Sequence, residues 1–229
     1  MKTIGLIGGM SWESTVEYYQ QINREVNARL GELHSAKILL YSVDFAEIET
    51  YQSLGEWEKA GEVLAEVASK LEKAGADFLV ICTNTMHKVM EQMKANVTIP
   101  ILHIADATAK QIKSKGIQTV GLLGTKYTME QDFYKSRIMN QGIEVIVPNK
   151  VDREMINKVI FEELCHGEVK ANSKNDYQQV IASLVEQGAE GIILGCTEIG
   201  MLIQAEDATV PLFDTTKIHA KEAVNKALE

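Results

Sequence analysis

The stretch AGADFLVICTNT, residues 74–85, resembles a second stretch, QGAEGIILGCTE, at residues 187–198. In both, a short apolar run is followed at once by small polar residues, and the two copies lie 113 residues apart. A short apolar run bounded by turn residues is typical of a strand buried on both faces of a parallel sheet. The chain therefore carries two copies of a strand that ends in polar residues.

Two further pairs of segments match in the same order. KTIGLIGGM at residues 2–10 resembles QTVGLLGTK at 118–126, and IPIL at 99–102 resembles VPLF at 210–213. The offsets of 116 and 111 residues differ slightly from 113, as loops of different length require. Three matches in one order indicate two copies of one structural unit.

Strand-like and helix-like segments alternate between these matches. Amphipathic segments, such as residues 56–75 and 173–187, follow the near-continuous apolar runs. This alternation predicts an α/β fold with parallel sheets flanked by helices. We expect two similar lobes related by a pseudo-twofold axis, with the active site in the cleft. Their predicted bounds are residues 1–100 plus 212–229 for lobe 1 and residues 101–211 for lobe 2.

The composition is that of an ordinary soluble globular protein, with 45% hydrophobic and 24% charged residues. A net charge of −9 argues against a nucleic-acid or acidic-membrane partner. No apolar stretch is long enough to span a bilayer, and the N-terminus lacks the features of a signal peptide. The three cysteines are widely spaced without a C-x-x-C pair, so we expect neither a disulfide framework nor a metal site. A reducing cytoplasm is the simplest location.

The self-alignment assigns different roles to two adjacent residues. Cys82 falls on Gly195, whereas Thr83 falls on Cys196. Ligands of open α/β sheets bind at the carboxyl ends of strands, so Thr83 and Cys196 are the candidate catalytic pair. Neighbours on a strand point to opposite faces, which predicts that Cys82 is a buried core thiol. A small apolar role at a strand end is the alternative for Cys196.

Two groups at symmetric positions suit the inversion of a stereocentre. Inversion requires a proton to leave one face of a carbon and another to arrive on the opposite face. A thiol, with an ordinary pKa of about 8.5, can act as the acid or the base when its surroundings tune it. The first glycine loop, GLIGGMS, fits neither the dinucleotide-binding nor the P-loop pattern.

Three segments resemble the cofactor-independent aspartate/glutamate racemase family: GLIGGMSWEST at 5–15, CTNTMH at 82–87 and LGCTEIG at 194–200. The resemblance covers essentially the whole chain. In that family two cysteines exchange protons with the substrate α-carbon. The match puts Thr83 at the position of the first cysteine and Cys196 at that of the second. The chain most closely resembles the subgroup that has threonine there and acts on L-aspartate and L-glutamate.

The resemblance implies a racemase of acidic amino acids that works without pyridoxal phosphate or another cofactor and forms a homodimer. Cys196 would be the main proton-transfer residue, and Thr83 a weak partner, because a hydroxyl loses its proton far less readily than a thiol. The preference between aspartate and glutamate stays open. The alternatives are a related superfamily isomerase or decarboxylase, and a non-catalytic carboxylate-binding protein.

Other residues near the strand ends are candidates for holding the substrate. Small hydroxyl and amide groups at helix starts suit a carboxylate, and Gln52 lies where the family places a side-chain contact. Ser11 and Thr125 have a helix-capping role as an alternative or additional function. His87 either orients the site or lies on a helix surface, partly buried. The predicted substrate-binding residues are Met10, Ser11, Gln52, Asn84, Thr85, Thr125 and Thr197.

Overall fold

The computed structural model describes residues 1–229, which form two compact units. Unit 1 contains residues 1–103 and 219–229, and unit 2 contains residues 104–218. Each unit is built on one four-stranded sheet in which every paired strand is parallel to its neighbour. The helices are all too short or too polar to cross a membrane.

Strands and helices alternate along both units. The strands are β1 (Ile4–Gly8), β2 (Ile38–Ser42), β3 (Phe78–Ile81), β4 (Ile101–Leu102), β5 (Thr119–Gly124), β6 (Glu144–Ile146), β7 (Gly191–Gly195) and β8 (Leu212–Asp214). The helices are α1 (Trp12–Leu30), α2 (Phe45–Leu54), α3 (Trp57–Lys73), α4 (Met90–Lys94), α5 (Ile104–Ser114), α6 (Lys126–Glu130), α7 (Asp132–Met139), α8 (Lys150–Glu162), α9 (Ala171–Glu186), α10 (Ile199–Leu202) and α11 (Thr215–Leu228). Short 3-10 helices lie at Thr85–Val89, Leu164–His166 and Ala205–Asp207.

The two sheets have the same strand order. In unit 1 the order is β2-β1-β3-β4, and in unit 2 it is β6-β5-β7-β8. Three strands of the second sheet, β5, β7 and β8, lie in or overlap the repeats of the segments that contain β1, β3 and β4. The predicted α/β fold of two similar parallel-sheet units is therefore confirmed.

The central strands are buried on both faces, which explains their continuous apolar sequences. A repeated glycine allows close packing in each sheet. A Cβ atom at Gly5 would lie 2.7 Å from Leu79 Cδ2, and one at Gly121 would lie 2.7 Å from Ile192 Cδ1. The same steric requirement thus accounts for the glycine in both copies of the motif.

The sheet of unit 1 has one hydrophobic cluster on each face. Leu79 and Ile81 of β3 pack with residues of α2, α3 and α4. Phe78, Val80 and Cys82 pack with residues of α1 and α11 on the other face. Side chains along β3 therefore point alternately to these two clusters, and this alternation continues to Cys82 at the carboxyl end of the strand.

The helical segment between β5 and β6 is interrupted. The structure has two helices there, α6 and α7, separated at Gln131. Gln131 has an extended backbone, with φ of −94° and ψ of 157°. A residue in this conformation cannot continue the helical hydrogen-bond ladder, so the chain changes direction at that point.

Candidate active site

The loops that follow β1 and β3 leave the sheet of unit 1 at the same edge. The strands are neighbours in parallel register, and the backbone amide of Cys82 donates to the carbonyl oxygen of Ile7 at 2.9 Å. Parallel pairing brings the residues after Gly8 close to those after Ile81. Ser11 and the segment from Thr83 to Thr85 are all buried or nearly so at this edge.

Cys82 and Thr83 have the different environments that the sequence predicted. Cys82 is fully buried in the cluster that also contains Tyr18 of α1 and Val224 of α11. Burial raises the pKa of the Cys82 thiol far above its ordinary value, so this thiol stays protonated. Thr83, at 9% exposure, is the residue that reaches the carboxyl edge of β3. Its catalytic role stays a prediction.

The loop after β1 is fixed by hydroxyl groups. Ser11 caps α1, where its Oγ accepts from the amide of Ser14 at 3.4 Å. Thr15 Oγ1 donates to the Ser11 carbonyl at 2.7 Å and accepts from the amide of Gly9 at 2.8 Å. Met10 packs into the hydrophobic cluster of α2, α3 and α4. Ser11 is therefore a helix cap, a role that does not exclude a contact with substrate.

Gln52 of α2 lies beside the segment that follows β3. Its side chain is only 4% exposed, and Nε2 donates to Sδ of Met86 at 3.0 Å. Met86 belongs to the 3-10 helix that starts at Thr85. A thioether is a weak acceptor, so the Gln52 amide can exchange this partner for a stronger one such as a carboxylate.

The second group of candidate residues lies at the equivalent edge in unit 2. β5 and β7 are paired up to Gly124 and Gly195, so Thr125 and Cys196 follow adjacent strand ends. A Cβ at Gly124 would lie 2.8 Å from the carbonyl oxygen of Gly195. Thr125 caps α6, accepting from the amide of Thr128 at 3.3 Å, as Ser11 caps α1.

Glu198 is a buried carboxylate that the sequence reasoning missed. Its Oε2 accepts a hydrogen bond from Cys196 Sγ at 2.9 Å and another from Thr197 Oγ1 at 2.8 Å. The side chain is 2% exposed. Buried carboxylates are rare unless paired or functional, so an acidic residue two positions after a strand-end cysteine was the available signal. The alignment of the two repeats did not indicate Glu198, because the corresponding residue in unit 1 is Thr85, which has no carboxylate.

The surroundings of Cys196 keep its sulfur protonated at rest. Burial raises the pKa of the thiol well above its ordinary value, and the negative charge of Glu198 raises it further. Cys165 and Tyr177 also lie close enough to influence these groups electrostatically, and the Tyr177 hydroxyl donates to the carbonyl of Ile156 at 3.1 Å. The thiol thus has a carboxylate beside it that can accept its proton.

These features define a class of protein. It is an α/β protein with two equivalent parallel sheets. A threonine follows a central strand of one sheet, and a cysteine hydrogen-bonded to a carboxylate follows the equivalent strand of the other. The sequence matches the family model described as Asp/Glu/Hydantoin racemase over residues 7–223, nearly the whole chain. The chain belongs to this family.

Several known proteins are similar over the full length. A Yersinia pestis structure provisionally described as an Asp/Glu racemase is 56% identical, with a TM-score of 0.93 and 100% of both chains covered. An aspartate racemase homologue from Pyrococcus horikoshii is 37% identical, with a TM-score of 0.85 and the same coverage. The broad specificity amino-acid racemase RacX of Bacillus subtilis is 24% identical, with 98% of each chain covered.

Proposed function

We propose that the protein is a cofactor-independent racemase of the acidic amino acids L-aspartate and L-glutamate. Cys196 is the main acid/base residue in this proposal, and Thr83 is its weak partner on the other face of the substrate α-carbon. Membership of the racemase family supports the reaction class. The acidic substrate class is supported by the names of the relatives, one of which is an aspartate racemase homologue.

The observation that carries the proposal is the hydrogen bond between Cys196 and Glu198. Transfer of the thiol proton to the Glu198 carboxylate produces a thiolate, which then removes the α-hydrogen and leaves a carbanion. Return of a proton from Cys196 to the same face restores the original enantiomer. Delivery of a proton to the opposite face, from Thr83 or through a water molecule, completes the inversion.

Thr83 makes the rates of proton return to the two faces of the α-carbon unequal. A hydroxyl is a much weaker acid and base than a thiol, so delivery from the Thr83 side is slow. Racemisation has an equilibrium constant of one, so this slow step limits full turnover in both directions. Exchange of the α-hydrogen on the face served by Cys196 stays fast by comparison.

The substrate is held by polar groups at the two strand-end edges. In unit 1 these are Ser11, Gln52 and the loop after β3, and in unit 2 they are Thr125 and Thr197. All are buried, so hydrogen bonds from them to carboxylate oxygens form in a low-dielectric environment. The complete proposed set of substrate-binding residues is Met10, Ser11, Gln52, Asn84, Thr85, Thr125 and Thr197.

A second copy of the chain is the proposed partner, in a homodimer. Trp12, Val16 and Tyr19 of α1 are 65%, 42% and 52% exposed, and Leu40 on the edge strand β2 is 46% exposed. They line a shallow, mostly apolar cavity of about 370 Å³. An exposed apolar patch beside a sheet edge is typical of a protein–protein contact.

The proposed location is the cytoplasm. All three cysteines are free thiols, which supports this location.

Isotope exchange tests the proposal directly. The protein is incubated with L-aspartate or L-glutamate in D2O, and α-deuteration is measured together with the slower formation of the D-enantiomer. We expect deuteration by the wild-type protein and none by Cys196→Ala. Because the resemblance puts Thr83 at the position of the family's first cysteine, a non-catalytic carboxylate-binding protein is the second candidate. Binding of either amino acid without exchange would establish that alternative instead.

A further inference from the structure

Three buried histidines from distant parts of the sequence lie together in unit 1. His87, His103 and His219 are 4%, 4% and 0% exposed. The ring centroid of His87 lies 4.5 Å from that of His103 and 5.8 Å from that of His219. Tyr18 packs edge-on against His219, with centroids 5.7 Å apart. We call these four residues the histidine cluster. The proton transfers proposed above use none of them.

The hydrogen bonds of the cluster determine where the ring hydrogens lie. His219 Nε2 is 3.0 Å from the carbonyl oxygen of Leu102, and because a carbonyl only accepts, Nε2 carries the hydrogen. Burial lowers the pKa of His219 to about 3, so the ring is neutral and its Nδ1 accepts from the Tyr18 hydroxyl at 2.9 Å. The ring of His219 is therefore fixed between α1 and β4.

His87 makes the contact that connects this cluster to the candidate active site. Its Nδ1 is 2.8 Å from the carbonyl oxygen of Thr83, so Nδ1–H donates to the peptide group of the candidate catalytic residue. In unit 2 the equivalent carbonyl, that of Cys196, accepts from the backbone amide of Ile199 at 3.1 Å. The two equivalent carbonyl groups therefore accept from different donors: a histidine side chain in unit 1 and a backbone amide in unit 2.

We propose that His87 is a positioning residue for Thr83: its Nδ1–H holds the Thr83 carbonyl, and the rings of His103 and His219 hold His87 in the orientation that this bond requires. The proposal rests on the proposed function and deepens it. A side chain moves with its own peptide group, so loss of this bond displaces the Thr83 hydroxyl. A displacement of about 1 Å at a reacting group can cost on the order of 100-fold in rate.

The proposal predicts a separation between two activities of the same enzyme. Inversion needs the Thr83 side, whereas α-deuterium exchange with retention needs Cys196 of unit 2. His87→Leu removes the donor, so D-enantiomer formation should fall roughly 10- to 100-fold while α-deuteration of the L-enantiomer changes less than about 3-fold. A purely structural role of His87 would lower both activities in parallel.

Two polar variants make the test independent of the stability of His87→Leu. Asparagine can place its Nδ2–H near the position of histidine Nδ1, whereas glutamine places its amide near the position of Nε2. We expect His87→Asn to retain most of the inversion rate and His87→Gln to lose it. His34→Leu, a change at an exposed histidine of unit 1, is the matched control and should leave both activities unchanged.

The outcomes separate this proposal from the proposed function. Equal inversion rates for His87→Asn and His87→Gln, or equal losses of exchange and inversion in either variant, would overturn the role of His87. A wild-type protein that shows no Cys196-dependent exchange would instead overturn the proposed function, whatever the His87 variants do.

Discussion

The thiol of Cys196 donates a hydrogen bond to the carboxylate of Glu198, with Sγ and Oε2 2.9 Å apart. The same oxygen accepts from the hydroxyl of Thr197, and the carboxylate is almost completely removed from solvent. A buried carboxylate raises the pKa of the neighbouring thiol and also offers a place for its proton. The proposed acid/base group of unit 2 is therefore a pair of residues.

Removal of the charge at Glu198 should change the titration of Cys196. In Glu198→Gln the pKa of the thiol should fall, because the negative charge that disfavours the thiolate is gone. The α-deuteration rate should nevertheless fall, by roughly 10- to 1,000-fold, because the proton acceptor is lost. The pKa is measured from the pH dependence of alkylation of Cys196 by iodoacetamide, followed by mass spectrometry.

Glu186→Gln is the control for this charge change, since Glu186 is an exposed carboxylate at the end of α9. It should alter neither the alkylation profile nor the exchange rate. An unchanged or increased pKa of Cys196 in Glu198→Gln would contradict the electrostatic coupling of the pair.

Replacement of Thr83 by cysteine should increase the rate of inversion. The thiol is a better acid and base than the hydroxyl, so the slow proton delivery becomes faster. We expect D-enantiomer formation to rise at least about 10-fold, while Thr83→Ala reduces it and Thr83→Ser keeps it close to the wild-type rate. The measurement is chiral chromatography of the products. No increase for Thr83→Cys would contradict the assignment of Thr83 as the weak partner.

The buried histidine cluster should make the free energy of unfolding depend on pH. The pKa of His219 is about 3 in the folded protein and 6.5 ordinarily, so the unfolded chain binds more protons between these values. His219 therefore makes its full contribution to stability above pH 6.5 and loses it as the pH falls toward 3. Between pH 7 and 4.5 the loss is about 2.5 kcal/mol.

Denaturant unfolding of the wild type and His219→Gln at these two pH values checks this prediction. The variant keeps an amide donor for the Leu102 carbonyl but cannot be protonated in this range. It should lose about 2.5 kcal/mol less stability than the wild type on acidification. His34→Gln, with an exposed histidine, should behave as the wild type does. Equal losses in wild type and His219→Gln would show that the buried ring does not resist protonation.

The apolar patch on α1 and β2 predicts how the proposed dimer can be disrupted. Val16→Glu with Tyr19→Glu would place two carboxylates in the proposed contact, where they would lose water. We expect the dissociation constant to rise at least about 10-fold, measured by sedimentation velocity over a range of concentrations. Leu33→Glu is the control, because Leu33 is 98% exposed but lies beyond the opposite end of α1. A monomeric wild type would contradict this interface.

The repeated segments were sufficient to predict the fold because three strands of each sheet lie in or overlap segments that recur in the sequence. The self-alignment separated Cys82 from Thr83, and the structure places Cys82 in the core as expected from alternation along β3. The strand order is likewise the same in both units, as expected of two copies of one structural unit.

Two features of the site were not predicted from the sequence, for different reasons. Glu198 has a threonine as its repeat partner, so its pairing with Cys196 appears only when the side chains are placed. His103 directly follows β4 and His219 belongs to α11, so both approach His87 from segments distant in sequence from the loop after β3. The histidine contacts arise from tertiary packing, whereas the contact between Cys196 and Glu198 joins residues two positions apart in one loop.

The most direct test of the account is α-deuteration of L-aspartate and L-glutamate in D2O by wild-type protein, Cys196→Ala and Cys82→Ala. Cys196 carries the proton transfer in this account, whereas Cys82 is a buried core thiol. We predict that the wild type and a folded Cys82→Ala exchange the α-hydrogen and that Cys196→Ala does not. Exchange that persists in Cys196→Ala, or its absence from the wild type, would contradict the central claim.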